Sequence, residues 1–107
     1  MATKRGDARE RDDTDRTGSY GLTAREAAEA GLEEISVIVA KRAEGVISVT
    51  PTDDGWTVMI EMLENRHVPS TADVLGLYEV ELDVDGRLLS YRRARRYIRG
   101  RGDEGAV

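Results

Sequence analysis

Cysteine and phenylalanine are absent from the 107 residues, proline occurs twice, and the aromatic residues are one tryptophan and four tyrosines. Without cysteine there is no disulfide framework, no thiolate metal ligand and no thiol nucleophile, a composition that fits a reducing cytoplasm. No apolar run approaches the roughly 18 residues that a membrane-crossing helix needs, and the N-terminus lacks the apolar stretch of a secretory signal. A soluble, cytoplasmic protein without a membrane partner is expected. A chain this short fits one domain with a modest core and no large catalytic cleft. Neither a cofactor nor a small-molecule substrate is expected.

What the chain does have is charge, unevenly placed. Residues 1–22 are neutral overall, residues 23–86 carry a net −10 and residues 87–107 a net +5, giving the overall −5. Segregation of this kind bears on partners rather than on fold. Residues 1–21 combine ten charges of mixed sign with almost no apolar bulk, too little to offset the entropy of ordering, and read as a disordered arm. Residues 101–107 are rich in glycine and charge and read as a flexible tail. The tripeptide Arg101-Gly102-Asp103 matches an adhesion motif, a coincidence of composition in such a tail.

Between these ends, Thr23 and Glu26 have the spacing of a capping box, which predicts a helix starting at Ala24. Ala24, Ala28, Gly31, Leu32 and Ile35 recur at helical spacing, and the pattern runs on toward Arg42. The β-branched run from Ile35 to Val39 pulls against that extension. Glu44-Gly45 is expected to end the helix.

Val46 to Thr50 then begins a strand whose partner is Trp56 to Glu64. A two-residue turn at Asp54-Gly55 pairs Val49 with Ile60 and Ile47 with Met62; a four-residue turn over 52–55 pairs Val49 with Val58 and Ile47 with Ile60. Both keep Ile47 on the apolar face. Pro51 removes a ladder donor and places this strand at an edge. Residues 65–73 form a polar connection, and Leu75 to Val84 is the third strand.

An acidic arm, Tyr78-Glu-Val-Glu-Leu-Asp83, meets an arginine-rich one across Asp85-Gly86. A type I′ turn there pairs Val84 with Arg87, Leu82 with Leu89, Val80 with Tyr91, Tyr78 with Arg93, Glu81 with Ser90, Glu79 with Arg92 and Leu77 with Ala94. Glu79 and Arg92 form a cross-strand ion pair, and Arg93 is placed to stack on Tyr78. The fold class is α+β: one N-terminal helix packed on a four-stranded antiparallel meander spanning residues 22–100.

Seven arginines lie at 87, 92, 93, 95, 96, 99 and 101, with Tyr91 and Tyr97 between them and no acid until Asp103. Alternation puts Arg93 and Arg95 on one side of the strand and Arg92 and Arg96 on the other. A solvated edge strand that balances the acidic arm beside it and deters aggregation is the alternative account of the whole pattern. Beyond Leu77 the basic strand outruns its acidic partner, leaving Arg95 to Arg99 without carboxylates to neutralise them. Arg92, Arg93, Arg95, Arg96, Arg99, Tyr91 and Tyr97 are therefore the candidate partner-binding residues, suited to an acidic protein surface or a phosphate backbone. His67, with Ser70 and Thr71 nearby, lacks the spacing of a catalytic constellation and reads as a loop histidine. Asp53, Asp54, Asp83 and Asp85 read as turn formers rather than metal ligands, and Trp56 as a core or core-edge residue, with an interface anchor as the second reading.

Asp54-Gly-Trp-Thr-Val58, Arg66-His-Val-Pro-Ser-Thr-Ala-Asp-Val-Leu75, Tyr78-Glu-Val-Glu-Leu-Asp83 and Tyr91-Arg-Arg-Ala-Arg-Arg-Tyr-Ile-Arg99 together resemble the gas vesicle protein O family over about residues 22–100, with the N-terminal arm outside the match. The resemblance implies a cytoplasmic accessory protein of gas vesicle formation, without enzymatic activity and without catalytic residues to carry over. Its implied partners are other gas vesicle proteins, both shell subunit and accessory proteins. Three functions follow from these residues in descending order of support: a protein-interaction module for assembly, a nucleic-acid-binding regulator acting through the arginine-rich strand, and an enzyme centred on His67. The net −10 before the basic strand opposes the second, since it repels phosphate unless it faces away.

Overall fold

The computed structural model describes residues 21–101. The expected arm and tail lie outside the described residues, apart from Gly21 and Arg101. One helix, α1 (Ala24–Ile38), precedes four strands, β1 (Arg42–Pro51), β2 (Gly55–Asn65), β3 (Val74–Asp83) and β4 (Leu88–Ile98), with a 3-10 turn at Ser70–Ala72 between β2 and β3. The strands lie in sequence order as one antiparallel sheet, the α+β arrangement expected. No described helix is long and apolar enough to cross a membrane.

The helix starts where its capping box places it: Thr23 Oγ1 accepts from the Glu26 amide at 3.2 Å, and Glu26 Oε1 accepts from the Thr23 amide at 3.0 Å. It stops at Ile38, short of Arg42, and Glu44-Gly45 lies inside β1 rather than at a helix end. The β-branched run ending α1 favours extended backbone, and pairing of Arg42 and Ala43 with Leu63 and Met62 draws the following residues into the sheet. Ala27, Gly31 and Ile35 form the buried stripe of α1. At Gly31 a methyl group would stand 3.1 Å from Val58, so the bare position lets the helix lie close. Beneath it Val58, Ile60, Met62, Val80 and Leu82 are fully buried, with Trp56, Val46 and Val49 packed against them.

The first hairpin adopts the four-residue turn, with Val49 opposite Val58 and the Thr52 amide donating to Gly55 O at 2.9 Å. Ile47 does not face Ile60. A bulge between Val46 and Ser48 gives that place to Val46, and Ile47 is 58% exposed. Parity fixes the core side only while the ladder is unbroken.

The second hairpin matches the expected register over its middle, where Glu81 faces Ser90, Val80 Tyr91, Glu79 Arg92 and Tyr78 Arg93. Its ends differ. Leu82 faces Leu88 rather than Leu89, and Leu77 faces Arg95 rather than Ala94, because Leu89 and Ala94 are each an extra residue in β4. The turn is tied to Asp83 rather than being type I′ at Asp85-Gly86: Asp83 O accepts from Gly86 N at 3.0 Å, and Asp83 Oδ1 accepts from the amides of Asp85 and Arg87, both at 2.9 Å. Gly86 supplies the positive φ of 86° that this turn requires. Both outer strands thus carry two bulges, the usual means of blunting a sheet edge.

Candidate partner-binding surface

With α1 on one side, residues of β2 and β3 at even positions point into the core and those at odd positions point away from it. The face away from α1 is built from Thr57, Met59, Glu61 and Leu63 of β2 and Leu75, Leu77, Glu79 and Glu81 of β3. The bulge at Ala94 adds to it Arg92 and Arg95 of β4, opposite Glu79 and Leu77, and Tyr97 opposite Leu75. Strict alternation paired Arg93 with Arg95 and Arg92 with Arg96. The inserted residue reverses this, so Arg92 and Arg95 share the open face while Arg93 and Arg96 share the helix side.

On the open face the charges are organised in pairs. Arg92 Nη2 donates to Glu79 Oε1 at 2.7 Å, Thr57 Oγ1 donates to Glu81 Oε1 at 2.9 Å, and the Tyr97 hydroxyl donates to Glu61 Oε2. The Arg95 guanidinium lies 5.6 Å from the centre of the Tyr97 ring. A shallow depression of about 280 Å³ is lined by Glu79, Glu81, Ser90, Tyr91 and Arg92. Met59, Leu63 and Leu77 are only half-buried between these pairs. The result is an apolar patch interrupted by Glu61 and Glu79 and bordered on the β4 side by Arg92 and Arg95 and on the β1 side by Gly45, Ser48 and Thr50, and among the described residues no further layer lies over it.

The helix side of the arginine strand differs. Arg93 does not stack on Tyr78; both reach Glu64 of β2, whose side chain is only 6% exposed. The Tyr78 hydroxyl donates to Glu64 Oε2 at 2.8 Å, while Arg93 Nη1 and Lys41 Nζ stand 3.4 Å and 3.7 Å from Oε1. Burial, and then the neighbouring carboxylate, push the Tyr78 phenol above its ordinary pKa. Arg96, opposite Gly76, has its Nε enclosed without a hydrogen-bond partner. Tyr91, opposite Val80, is 41% exposed at the sheet edge.

Arg99 overturns the expectation that the end of the basic strand lacks acids. Its Nη2 lies 3.0 Å from Asp73 Oδ2 and 3.1 Å from Glu44 Oε1. Asp73, 4% exposed, also accepts from the His67 amide at 2.6 Å. That amide bond, aided by Arg99 and opposed by burial, holds the Asp73 carboxyl below its ordinary pKa, and the two carboxylates raise that of Arg99. The acids come from the residue before β3 and from the start of β1, which the expected helix extension had placed elsewhere. Of the seven candidate residues, then, Arg92, Arg93 and Arg99 are neutralised within the chain, Arg95 and Tyr97 have partners of their own, and only the premise of unengaged arginines fails for them. His67 is exposed on the loop leading to Ser70–Ala72. Trp56 is half-buried against the core.

Met59, Leu63 and Leu77 are the surface residues that the sequence reading missed. Their signal was present: at odd positions of β2 and β3 they interrupt an otherwise polar face, and a strand apolar on both sides implies a cover on both sides.

Compared with known proteins, residues 9–103 match the family described as Gas vesicle synthesis protein GvpO. The match begins well before residue 22 and so takes in part of the arm that the sequence reading had left out. Gas vesicle protein O of Streptomyces sp. (strain CB03234) is 49% identical over 70 residues, which is 65% of this chain and 55% of that protein. Gas vesicle protein O1 of Halobacterium salinarum is 39% identical over 77 residues, 72% of this chain and 59% of that protein. Gas vesicle protein O of Haloferax mediterranei is 38% identical over 80 residues, 74% of this chain and 52% of that protein. The matched part of the chain thus spans between half and three-fifths of the length of these relatives. No solved structure matches.

Proposed function

The chain belongs to the gas vesicle synthesis protein GvpO family, and on that footing we propose that it is a non-enzymatic accessory protein of gas vesicle formation that works by binding another gas vesicle protein on its open sheet face. The observation that carries this reading is the half-covered sheet. Four strands bury one face under α1 and leave Met59, Leu63 and Leu77 on the other, framed by Glu61, Glu79, Glu81, Arg92 and Arg95. An apolar patch edged and interrupted by paired charges suits a protein interface: the patch supplies burial, and the charges supply register and discrimination between partners. Pairing of Arg92 with Glu79 fixes the guanidinium in place, so less side-chain freedom is lost on docking.

Arg92, Arg95 and Tyr97 are the central contacts in this reading, Tyr91 and Arg93 flank them at the β4 edge, and Arg96 and Arg99 hold the end of the strand. The occupant is a gas vesicle protein, either the shell subunit kept competent for assembly or an accessory protein that nucleates the shell. The site is cytoplasmic and associated with the growing vesicle.

Co-expression with the remaining gas vesicle proteins tests it. Tagged native chain is expected to retain at least one of them, and the combination Arg92→Ser, Arg95→Ser and Met59→Glu to lose it together with vesicle yield while still unfolding cooperatively in urea. Retention by that variant at the native level sinks the reading. Recovery of oligonucleotide instead, with affinity falling steeply as salt is added, replaces it by nucleic-acid binding.

A further inference from the structure

Four strand ends meet at the Leu63 end of the open face. Arg42 opens β1 opposite Leu63 of β2, while Asp73 lies just before β3 and Arg99 just after β4. Together with Glu44 of β1 and Arg66, which follows β2, they line an open cleft of about 380 Å³. Leu63 belongs both to this cleft and to the open face, so the two surfaces are continuous.

The acids of the cleft are engaged, and two of its arginines are not. Asp73, its side chain 5% exposed, accepts from the His67 amide at Oδ1 and from Arg99 Nε and Nη2 at Oδ2, the last two at 3.3 Å and 3.0 Å. Glu44 Oε1 accepts from Arg99 Nη2 at 3.1 Å. Arg99 is thus clamped as part of the wall. Arg42 Nε stands 3.8 Å from Glu44 Oε2, beyond hydrogen-bond reach, and the Arg42 side chain is 70% exposed. The exposed Arg66 side chain makes no ion pair or hydrogen bond among the described residues. It still stands near enough to help hold the Asp73 carboxyl below its ordinary pKa.

Charge then selects the ligand. Arg42, Arg66 and Arg99 against Glu44 and Asp73 leave the lining one positive charge in excess, with His67 neutral. One carboxylate cancels that excess, whereas a phosphate dianion would leave the cleft negative within a segment, residues 23–86, that already carries a net −10. Two unengaged guanidinium forks in one cleft offer paired N–H donors in the geometry a carboxylate accepts.

We propose that this cleft is a carboxylate-binding site, walled by Arg99 and reading its ligand through Arg42 and Arg66, and that it takes an aspartate or glutamate side chain of the protein docked on the open sheet face. An acid bound at one end of an apolar patch gives that partner a direction along the strands. The site stands on the geometry of the cleft; only the source of its carboxylate rests on the proposed docking.

Titration of the full chain with acetyl-Gly-Glu-Gly-amide at low salt, followed by backbone amide shifts, tests the site. The amides of Arg66, His67 and Ser70 are expected to move saturably with this peptide and to stay in place with its glutamine counterpart. Arg42→Ser/Arg66→Ser is expected to weaken that binding at least about tenfold through the loss of two charge-assisted forks, with its urea midpoint checking that it folds. Arg92→Ser/Arg95→Ser removes the same charge from outside the cleft and is expected to bind the peptide at the native level. Equal loss in the two variants overturns the site, since general attraction to a basic surface then accounts for the binding. Movement with the glutamine peptide, or saturation by inorganic phosphate at a lower concentration than by the glutamate peptide, overturns it as well. In co-expression, Arg42→Ser/Arg66→Ser is expected to retain at least about tenfold less gas vesicle protein than the native chain. Native retention beside lost peptide binding overturns the docked partner as the source. Failure of the native chain to retain any gas vesicle protein sinks the docking function and that source together, while the peptide titration still decides the site.

Discussion

The hydroxyl of Tyr78 on β3 donates to Oε2 of Glu64 on β2 at 2.8 Å, on the side of the sheet that α1 covers. That contact completes the environment of a nearly buried carboxylate, whose other oxygen faces Arg93 and Lys41. Gly76 makes it possible, since a methyl group there would overlap the Glu64 carboxylate. The arginine strand is thus anchored on its helix side by one group and left exposed on the other, and this asymmetry separates substitutions that damage the fold from those that damage docking.

Removing the Tyr78 hydroxyl leaves Glu64 short of a donor at a site with little water. Tyr78→Phe is expected to lower stability by about 1–3 kcal/mol at neutral pH, read from urea unfolding. The folded protein holds the phenol protonated to a higher pH than the unfolded chain does. Its contribution is therefore constant below the ordinary value of 10.0, declines as pH rises past it and is lost through the folded pKa. Above pH 10.0 the native protein is expected to lose stability more steeply than the Phe variant.

Gly76→Ala inserts a methyl group where the Glu64 carboxylate lies. The carboxylate must leave its three partners or β3 must shift, a cost of about 1–3 kcal/mol typical of overpacking. Thermal unfolding of the variant is expected to show a lower midpoint, with Glu64→Ala in the same chain recovering part of the loss by vacating the space.

Asp73 titrates in the opposite sense. Its folded pKa lies below the ordinary 3.8, so its contribution is complete above that value and is lost as pH falls through the folded pKa. Asp73→Asn keeps an acceptor for the His67 amide but gives up the Arg99 pair. Urea midpoints of native and variant protein, compared across pH, are expected to differ at pH 7 and to converge below pH 3.8.

Much of this arrangement was legible in the residues. Thr23 and Glu26 announced the helix start, Pro51 the edge, and residues 78–81 their pairing with residues 90–93, because each rests on contacts local in sequence or on an alternation of period two. What escaped were the inserted residues. Ile47, Leu89 and Ala94 each break the alternation without any turn residue to flag them, Glu44 does so beside a Gly45 that reads equally as a helix end, and Ala94 decides which arginines share a face. The clamp on Arg99 escaped for a related reason: Glu44 lies 55 positions away in sequence, in a stretch whose local pattern favoured continuing the helix until pairing with β2 claimed it.

Arg92 and Glu79 allow fold and docking to be separated. The pair is exposed, so Arg92→Glu, Glu79→Arg and the exchange of both are each expected to change stability by less than about 1 kcal/mol. Partner retention is expected to fall at least about tenfold in Arg92→Glu and to stay low when the charges are exchanged, because a partner reads the sign at each position rather than the neutrality of the pair. Co-purification alongside urea midpoints checks both halves.

A thiol footprint tests docking on the open face most directly. Single cysteines at Met59, Leu77 and, on the far side of α1, Glu33 would be labelled with a maleimide in chain isolated alone and in chain isolated from cells making all the gas vesicle proteins. Protection of the Met59 and Leu77 positions by at least about tenfold in the second preparation, with the Glu33 position unchanged, is the predicted result. Equal labelling at Met59 and Leu77 in both preparations, while the chain remains bound to a partner, would contradict it.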